Sequence, residues 1–256
     1  MTEAPPGWPL GVGRRVYDTL DSTNAEAARL APTATGPIWV MARTQTAGRG
    51  RRARAWVSPP GNLHATLLMH PGEAAPIVAL RSFVAALALR DACAALTGAE
   101  PAFTLKWPND VLLNGHKLAG ILLERLSGAK GSAHLAIGFG VNLIAAPDPS
   151  LVEEGATPPI SLLVGTGHRI TPEAFLLALA QAYAAREATF LGEGFAPIRA
   201  DWLTHAARLG EALTARTGTE TLSGRFDGID GSGALLLHTP TGLRTLPAAD
   251  VFFPEV

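Results

Sequence analysis

The sequence is poor in cysteine and lysine, and both shortages carry information. Cys93 is the single cysteine among 256 residues, so an internal disulfide is excluded and a reducing compartment is favoured. It lies in an apolar stretch with helical spacing, which indicates a buried structural thiol and not a nucleophile. Only three of the 21 basic residues are lysines, namely Lys106, Lys117 and Lys130. Because arginine is used elsewhere, lysine at positions 106 and 117 suggests that an ammonium group is required there.

Several familiar functional signatures are also missing. The seven histidines are scattered singly, so a dedicated zinc site is not expected. No Gly-x-x-x-x-Gly-Lys-Ser/Thr loop occurs, and no Gly-x-Gly-x-x-Gly follows a strand. Residues 1–9 lack the apolar region of a signal peptide, and the most apolar stretch, residues 77–96, contains three charges. With a net charge of -1, general DNA binding is disfavoured, and we expect a cytoplasmic protein that binds neither DNA nor a membrane.

Hydrophobic residues make up 47% of the chain and charged residues 17%, which predicts a folded globular protein with a well-buried core. Residues 1–16 are expected to form a loosely held arm that leads into the first strand. Asn114-Gly115 between two apolar runs predicts a tight hairpin turn. After Leu209, short strands alternate with glycine-containing turns, so we predict a catalytic domain over residues 1–206 and a small β-barrel over residues 207–256. Predicted strands cover residues 15–20, 38–43, 62–69, 103–106, 111–113 and 134–143, and predicted helices cover 24–31, 77–97, 175–190 and 195–206.

Arginine is concentrated in residues 45–56, which we call the arginine loop. Four arginines fall between positions 49 and 54, and Gly48 and Gly50 loosen the backbone around them. Guanidinium groups match carboxylate and phosphate oxygens with two parallel hydrogen bonds. The residues alone leave two interpretations open, an anion-binding loop over a small ligand or a solvated basic loop that contacts nucleic acid.

Four further blocks accompany the arginine loop, and two of them also have a structural interpretation. Asp-Ser-Thr-Asn at residues 21–24 could cap a helix or bond a small polar ligand. Gly138 and Gly140 within a predicted strand indicate close approach by a ligand or a β-bulge. The remaining blocks are Lys-Trp-Pro-Asn-Asp at residues 106–110 and Lys-Leu-Ala-Gly-Ile-Leu-Leu-Glu at residues 117–124.

Together and in this order, the five blocks resemble the biotin protein ligases over about residues 17–165. The resemblance implies an α+β fold with a mixed, largely antiparallel sheet packed with helices, as in class II synthetases and lipoate ligases, followed by an SH3-like β-barrel. It also implies ATP-dependent biotinylation of a lysine on a biotin carboxyl carrier protein through biotinyl-5′-AMP, with Mg²⁺ bound alongside ATP. Because the first block begins at Asp21, we expect no N-terminal DNA-binding domain, and we expect a monomer or a weak homodimer.

The resemblance further assigns roles to individual residues. Lys117 and Arg51 are the implied catalytic residues, and Asp110 is implied to help hold Mg²⁺. Ala53 stands where the family often has glycine. The implied biotin-binding residues are Ser22, Thr23, Asn24, Gln45, Gly48, Arg49, Arg51, Lys117, Gly120, Gly138 and Gly140. The implied ATP- and adenylate-binding residues are Arg51, Arg52, Arg54, Trp56, Asn109, Lys117 and Asn142.

Two other functions are kept as alternatives. A lipoate or octanoate ligase or transferase would share the fold but should present a loop unlike Gly-Arg-Gly-Arg-Arg. A phosphate- or nucleic-acid-binding module would use the arginines on phosphates, but the chain offers no general basic surface in support.

Overall fold

A computed structural model describes residues 5–127, 133–153 and 155–253, so residues 1–4 and Lys130 lie outside the described part of the chain. The described residues form two β-sheets, with helices packed on the larger one. The helices are α1 (Thr23–Leu30), α2 (Ala75–Ala79), α3 (Arg81–Thr97), α4 (Leu162–Thr166), α5 (Pro172–Glu193) and α6 (Phe195–Thr204). The strands are β1 (Gly13–Leu20), β2 (Ile38–Gln45), β3 (Leu63–Met69), β4 (Phe103–Lys106), β5 (Asp110–Leu113), β6 (His116–Ser127), β7 (Ala133–Val141), β8 (Ala212–Arg216), β9 (Thr221–Ile229), β10 (Leu235–Thr239), β11 (Gly242–Leu246) and β12 (Asp250–Phe252).

The larger sheet has seven strands in the order β1-β2-β3-β7-β6-β5-β4. Only the β1–β2 pair is parallel among the described pairs, so the predicted mixed, largely antiparallel sheet is confirmed. The Asn114-Gly115 turn between β5 and β6 is confirmed as well. Both residues have positive φ, 50° and 78°, as a two-residue hairpin requires.

Helices cover the two faces of this sheet unequally. On one face, α3 and α5 pack over a large core that includes Trp39, Leu67 and Ile137. On the other face, α1 packs a small cluster that includes Ala27 and Leu68. Leu67 and Leu68 are adjacent in β3, so their opposite environments show the alternation of side chains across the sheet. The face that carries α1 is thereby left partly open beyond that helix.

Two predicted features are wrong in detail. The helix expected over residues 77–97 is divided into α2 and α3 around Leu80, and α3 is buried on most sides. The loosely held N-terminal arm is also wrong for the described residues, because Trp8 is buried in the main core and Gln181 donates a hydrogen bond to the carbonyl of Gly7. The hydrogen bond from Gln181 ties this segment to α5.

The smaller sheet contains β8 to β12 in the order β11-β10-β9-β8-β12, with every described pair antiparallel. A small C-terminal antiparallel β-module is thus confirmed. Trp107 Nε1 donates to the carbonyl of Gly233 at 3.0 Å, which joins this sheet to the loop before β5. None of the described helices is long and apolar enough to cross a membrane.

Candidate functional site

A cavity of about 730 Å³ opens on the sheet face that carries α1, and all five sequence blocks contribute to its wall. Two predicted site residues do not line it directly, namely Gly48, which packs behind Gln45, and Arg52, which points to Asp250. The predicted residues that line it are Ser22, Thr23, Asn24, Gln45, Arg49, Arg51, Arg54, Trp56, Asn109, Asp110, Lys117, Gly120, Gly138, Gly140 and Asn142.

Glycines form the floor of the cavity. A side-chain Cβ at Gly138 would lie 2.4 Å from Asn24 Oδ1, and one at Gly140 would lie 2.4 Å from the ring of Trp56. Gly120 pairs with Gly140 and lies beside Trp56 as well. The β-bulge alternative is wrong here, because β7 pairs with both neighbouring strands without a register shift. The glycines are needed because polar and aromatic groups approach the strand closely.

One end of the cavity is a connected set of buried polar side chains around the start of α1. Gln45 Oε1 accepts from the Thr23 backbone N–H at 2.8 Å and from the Thr23 hydroxyl at 3.1 Å. Thr66 Oγ1 lies 2.8 Å from Thr23 Oγ1 and 2.6 Å from Asn24 Oδ1. Ser22 occupies the N-cap position of α1, yet its side chain makes no capping bond. The interpretation of residues 21–24 as a simple cap is therefore incomplete, since the Ser22 hydroxyl is not used for it.

Glu124 ties this polar end to the arginine loop. Asn24 Nδ2 donates to Glu124 Oε2 at 2.6 Å, and Arg49 Nη2 donates to the same oxygen at 3.1 Å. Arg49 Nη2 donates to both carboxylate oxygens of Glu124, and this ion pair fixes the direction of the Arg49 side chain. The backbone between Gly48 and Arg49 is therefore held beside the polar end of the cavity.

Lys117 and Asp110 face each other across the β5–β6 hairpin, with Lys117 Nζ 2.8 Å from Asp110 Oδ1. Asp110 is the carboxylate predicted to help hold Mg²⁺. The described residues contain no group of three or more His, Cys, Asp or Glu side chains that could hold a metal ion by themselves. Any divalent ion at Asp110 would therefore depend on oxygens brought by a ligand.

Lys106, one of the two positions where the sequence suggested that an ammonium group is required, is a buried cation in the same cavity. Its Nζ donates to Thr157 Oγ1 at 2.7 Å. Burial lowers the pKa of Lys106 from its ordinary value of 10.5 to about 8, against the opposing effect of nearby Asp110. The ammonium is thus charged at neutral pH but held in an environment that favours a partner anion.

The other end of the cavity carries the arginines of the arginine loop. Arg51 lies close to Asn109, with 3.5 Å between Nη1 and Oδ1, and burial lowers the pKa of Arg51. Arg52 and Arg54 donate to the carboxylate of Asp250 at 2.7 and 3.0 Å. The arginines predicted to meet phosphate are thus gathered around a carboxylate from the smaller sheet.

Two polar atoms near this end are buried without a hydrogen-bond partner among the described residues, Trp56 Nε1 and Asn142 Oδ1. One is a donor and the other an acceptor, and both residues line the cavity. Burial without a partner costs free energy, so such groups call for an explanation. A polar ligand that offers both an acceptor and a donor at these positions would supply one.

Some contributors to the site were missed from the sequence. Thr66 and Thr157 are single threonines in a strand and a loop, and no local pattern marks them. Glu124 closes the block at residues 117–124, so its position within a motif was a usable signal. Asp250 carried no signal, because it is an isolated acidic residue far from the arginine loop in sequence.

Comparison with known proteins places these observations in a family. Residues 13–142 match the Biotin/lipoate A/B protein ligase family, and residues 209–253 match the Biotin protein ligase C terminal domain. The chain is 55% identical over 233 residues to the biotin–acetyl-CoA-carboxylase ligase of Paracoccus denitrificans, covering 91% of this chain and 97% of that protein. It is 32% identical over 254 residues to the enzyme of the same name from Mycobacterium tuberculosis, covering 94% and 90%.

A solved structure shows the same relationship in three dimensions. The biotin protein ligase from Aquifex aeolicus, in complex with biotin and ATP, superimposes with a TM-score of 0.78 at 25% sequence identity. The match covers 93% of this chain and 97% of that one. Both sheets of the present structure are included in so broad a match.

Proposed function

The chain belongs to the Biotin/lipoate A/B protein ligase family as a biotin protein ligase, and we propose that both steps of biotin transfer take place in the cavity described above. In the first step, a biotin carboxylate oxygen attacks the α-phosphorus of ATP, and pyrophosphate leaves. In the second, the amine of an acceptor lysine attacks the biotinyl carbonyl, AMP leaves with the bonding electron pair, and the new amide nitrogen gives up a proton to water. The acceptor is a biotin carboxyl carrier domain.

The observation that carries the proposal is the two-ended character of the cavity. A ureido group needs several hydrogen bonds inside an apolar surrounding, and the polar end offers Ser22, Thr23 and Gln45 on a glycine floor. Phosphates need cations, and the opposite end offers Arg51 and Arg54. A molecule with a neutral polar head and an anionic tail fits this order, as biotinyl-5′-AMP does.

Biotin is assigned to the end formed by α1, β2 and the floor. Gln45 and Thr23 orient each other, so their remaining hydrogen-bonding capacity points in fixed directions. The biotin-binding residues are proposed to be Ser22, Thr23, Asn24, Gln45, Gly48, Arg49, Arg51, Lys117, Gly120, Gly138 and Gly140.

The adenylate is assigned to the end formed by the arginine loop and the block at residues 106–110. Trp56 Nε1 and Asn142 Oδ1 would gain partners from a nucleotide, which offers both donors and acceptors. The adenylate-binding residues are proposed to be Arg51, Arg52, Arg54, Trp56, Asn109, Lys117 and Asn142.

Catalysis is proposed to rest on charge neutralisation, because two anions must meet and no enzyme nucleophile is required. Lys117 and Arg51 both line the cavity and are the proposed catalytic residues. Fixed cations that face a developing negative charge stabilise the transition state without reorganising at the moment of reaction. Enclosure by the arginine loop then keeps water from the mixed anhydride.

Asp110 is the proposed protein ligand for Mg²⁺. One carboxylate suffices where substrate phosphates supply further oxygens, so the donor set fits this ion only together with ATP. When bound, the ion would neutralise phosphate charge. Lys117 Nζ lies 2.8 Å from Asp110 Oδ1, so a bound ion would share this carboxylate with Lys117.

The test is a competition between acids. The protein is incubated with MgATP and equal concentrations of biotin and lipoate, and acyl-adenylates are identified by mass. We expect biotinyl-AMP with equimolar pyrophosphate, and then the addition of one biotinyl group to a supplied carrier domain but not to its lysine-to-arginine variant. Predominant lipoyl-AMP, or no acyl-adenylate at all, would overturn the proposal. The division into domains at residue 206 and the oligomeric state remain predictions.

A further inference from the structure

One carboxylate from the smaller sheet holds three arginines of the arginine loop. Asp250, at the start of β12, accepts from Arg52 Nη1 at 2.7 Å and from Arg54 Nη2 at 3.0 Å, both on Oδ2. Arg51 Nη1 lies 3.7 Å from the other oxygen, and Arg51 Nη2 donates to the neighbouring carbonyl of Ala249 at 3.2 Å. The loop of the larger sheet is thus fastened to β12 through three of its cations.

The surroundings of Asp250 make this contact more than an ordinary surface ion pair. Its side chain is only 10% exposed, whereas those of Arg52 and Arg54 are 45% and 52% exposed. Asp250 also lines the cavity, as do Arg51 and Arg54. Asp250 therefore forms ion pairs with the arginines that are proposed to bind a phosphate during the reaction. Glu153 provides Arg54 with a second carboxylate at 2.9 Å.

The loop also adopts a strained backbone conformation. Arg52 and Ala53 have φ values of 54° and 56°, in the left-handed region that side chains with a Cβ disfavour. Three hydrogen bonds inside the loop hold this shape, from the N–H groups of Gly50, Arg54 and Trp56. Without Asp250, mutual repulsion of the arginines would add to this backbone strain.

We propose that Asp250 is a surrogate anion that competes with the adenylate phosphate for Arg52 and Arg54. This inference rests on the proposed function, which places a phosphate among these arginines. In the ligand-free enzyme Asp250 holds the loop folded, and a bound phosphate replaces it as the partner of the arginines. After transfer, return of the arginines to Asp250 favours release of AMP. Asp250 is a positioning residue and touches no reacting atom.

The test measures AMP affinity and hydrogen exchange on purified full-length protein. Asp250→Asn keeps the shape of the side chain and removes its charge. AMP should then bind about fivefold more tightly, because a partly exposed ion pair that no longer has to be broken contributes a free energy of about that size. Without ligand, the N–H groups of Gly50, Arg54 and Trp56 should exchange faster. Asp250→Glu should restore both properties at least in part. Asp227→Asn, which breaks an exposed ion pair to Arg225 in the same sheet, should change neither.

Two results would overturn the inference. Weaker AMP binding by Asp250→Asn would mean that the carboxylate prepares the arginines and does not compete for them. Unchanged hydrogen exchange of the loop N–H groups in Asp250→Asn would mean that Asp250 does not hold the loop folded. If Asp250→Asn is unstable, Arg52→Met breaks the same ion pair from the other side and must also speed exchange. A wild-type protein that makes no biotinyl-AMP would overturn the proposed reaction, while the ligand-free exchange still tests whether Asp250 holds the loop.

Discussion

Lys117 reaches Asp110 because the strand that carries it contains a β-bulge. Asp110 pairs with Gly120, but Leu112 pairs with Lys117, and the register shifts between Val111 and Leu112. Side chains alternate along a strand, so a regular β6 would turn Lys117 to the face opposite Gly120. One extra residue in β6 reverses this and returns Lys117 to the face of the cavity. The proposed catalytic lysine is therefore aimed by a local irregularity of the sheet.

The first prediction concerns Lys117→Met. The methionine side chain is of similar length and fills the space, but it is neutral. It cannot stabilise the negative charge of the biotin carboxylate and the α-phosphate as they approach each other. We expect the single-turnover rate of biotinyl-AMP formation to fall by about a hundredfold or more, as for other groups that stabilise developing charge. Rapid quench followed by mass spectrometry of the adenylate measures this rate.

Lys117→Arg is the matched control, because it keeps the charge and should recover part of the rate. Stability should change by only about 1 kcal/mol, since the Lys117–Asp110 pair is partly exposed. Thermal unfolding of both variants checks this. An unchanged rate in Lys117→Met would remove Lys117 from the reaction.

The second prediction is a pH dependence of stability that originates in Lys106. Its pKa is about 8 in the folded protein against 10.5 ordinarily. Between these values the unfolded chain binds more protons, so the free energy of unfolding should rise with pH across this window. Below pH 8 the buried charge costs stability, by about 3 kcal/mol. Lys106→Met should therefore be more stable than wild type at pH 7, by about 2 kcal/mol after loss of the bond to Thr157.

Urea unfolding at several pH values from 7 to 10.5 measures this difference. The advantage of Lys106→Met should shrink and then reverse as pH rises, because wild-type Lys106 becomes neutral in both states and still keeps its bond to Thr157. A constant difference across this range would show that Lys106 is not the group responsible. ATP affinity, measured separately, should fall in the variant at pH 7, since a cation is lost from the cavity.

Local chemistry explains which parts of the fold were predictable. The turn at Asn114 and Gly115 depends on two neighbouring residues that tolerate positive φ, and Thr171 begins α5 by accepting from the backbone N–H of Ala174. Such features depend only on a few neighbouring residues and can therefore be predicted from the sequence. The division between α2 and α3 around Leu80 was missed, because the apolar spacing continues across it.

Contacts between distant residues explain what could not be predicted about the site. The five blocks meet because their strands and turns lie on one face of the sheet, and the resemblance named 15 of the residues that line the cavity. The contact of Asp250 with Arg52 joins residues 198 positions apart and follows from how the two sheets pack. The β-bulge that aims Lys117 lies among apolar residues of β5 and β6, so hydrophobic alternation could not locate it.

The third prediction concerns the glycine floor. A methyl group at Gly138 would collide with Asn24, and one at Gly140 would collide with the ring of Trp56. Gly138→Ala should therefore weaken binding of biotin about tenfold, and Gly140→Ala should weaken retention of biotinyl-AMP more than binding of biotin. Calorimetry with biotin and the dissociation rate of the adenylate measure the two effects. Gly218→Ala, with open space around its Cβ, is the control and should change neither. Equal effects of both variants on biotin binding would contradict this division.

The last prediction separates the two ends of the arginine loop. A side chain at Gly48 would lie 2.7 Å from Ser58 Oγ and 2.9 Å from Gln45 Nε2, so Gly48→Ser should disturb the polar end and raise the KM for biotin about tenfold. Arg51→Ala removes a cation from the other end, beside Asn109. This variant should still form some biotinyl-AMP but release it, and the free mixed anhydride should then label bystander amines. Biotinylation of an unrelated lysine-rich protein, measured beside the KM for biotin, distinguishes the variants, because bystander labelling should rise only in Arg51→Ala. If Arg51→Ala retains its adenylate and labels only the carrier domain, Arg51 does not hold the adenylate, and the phosphate has to be assigned to other cations of the cavity.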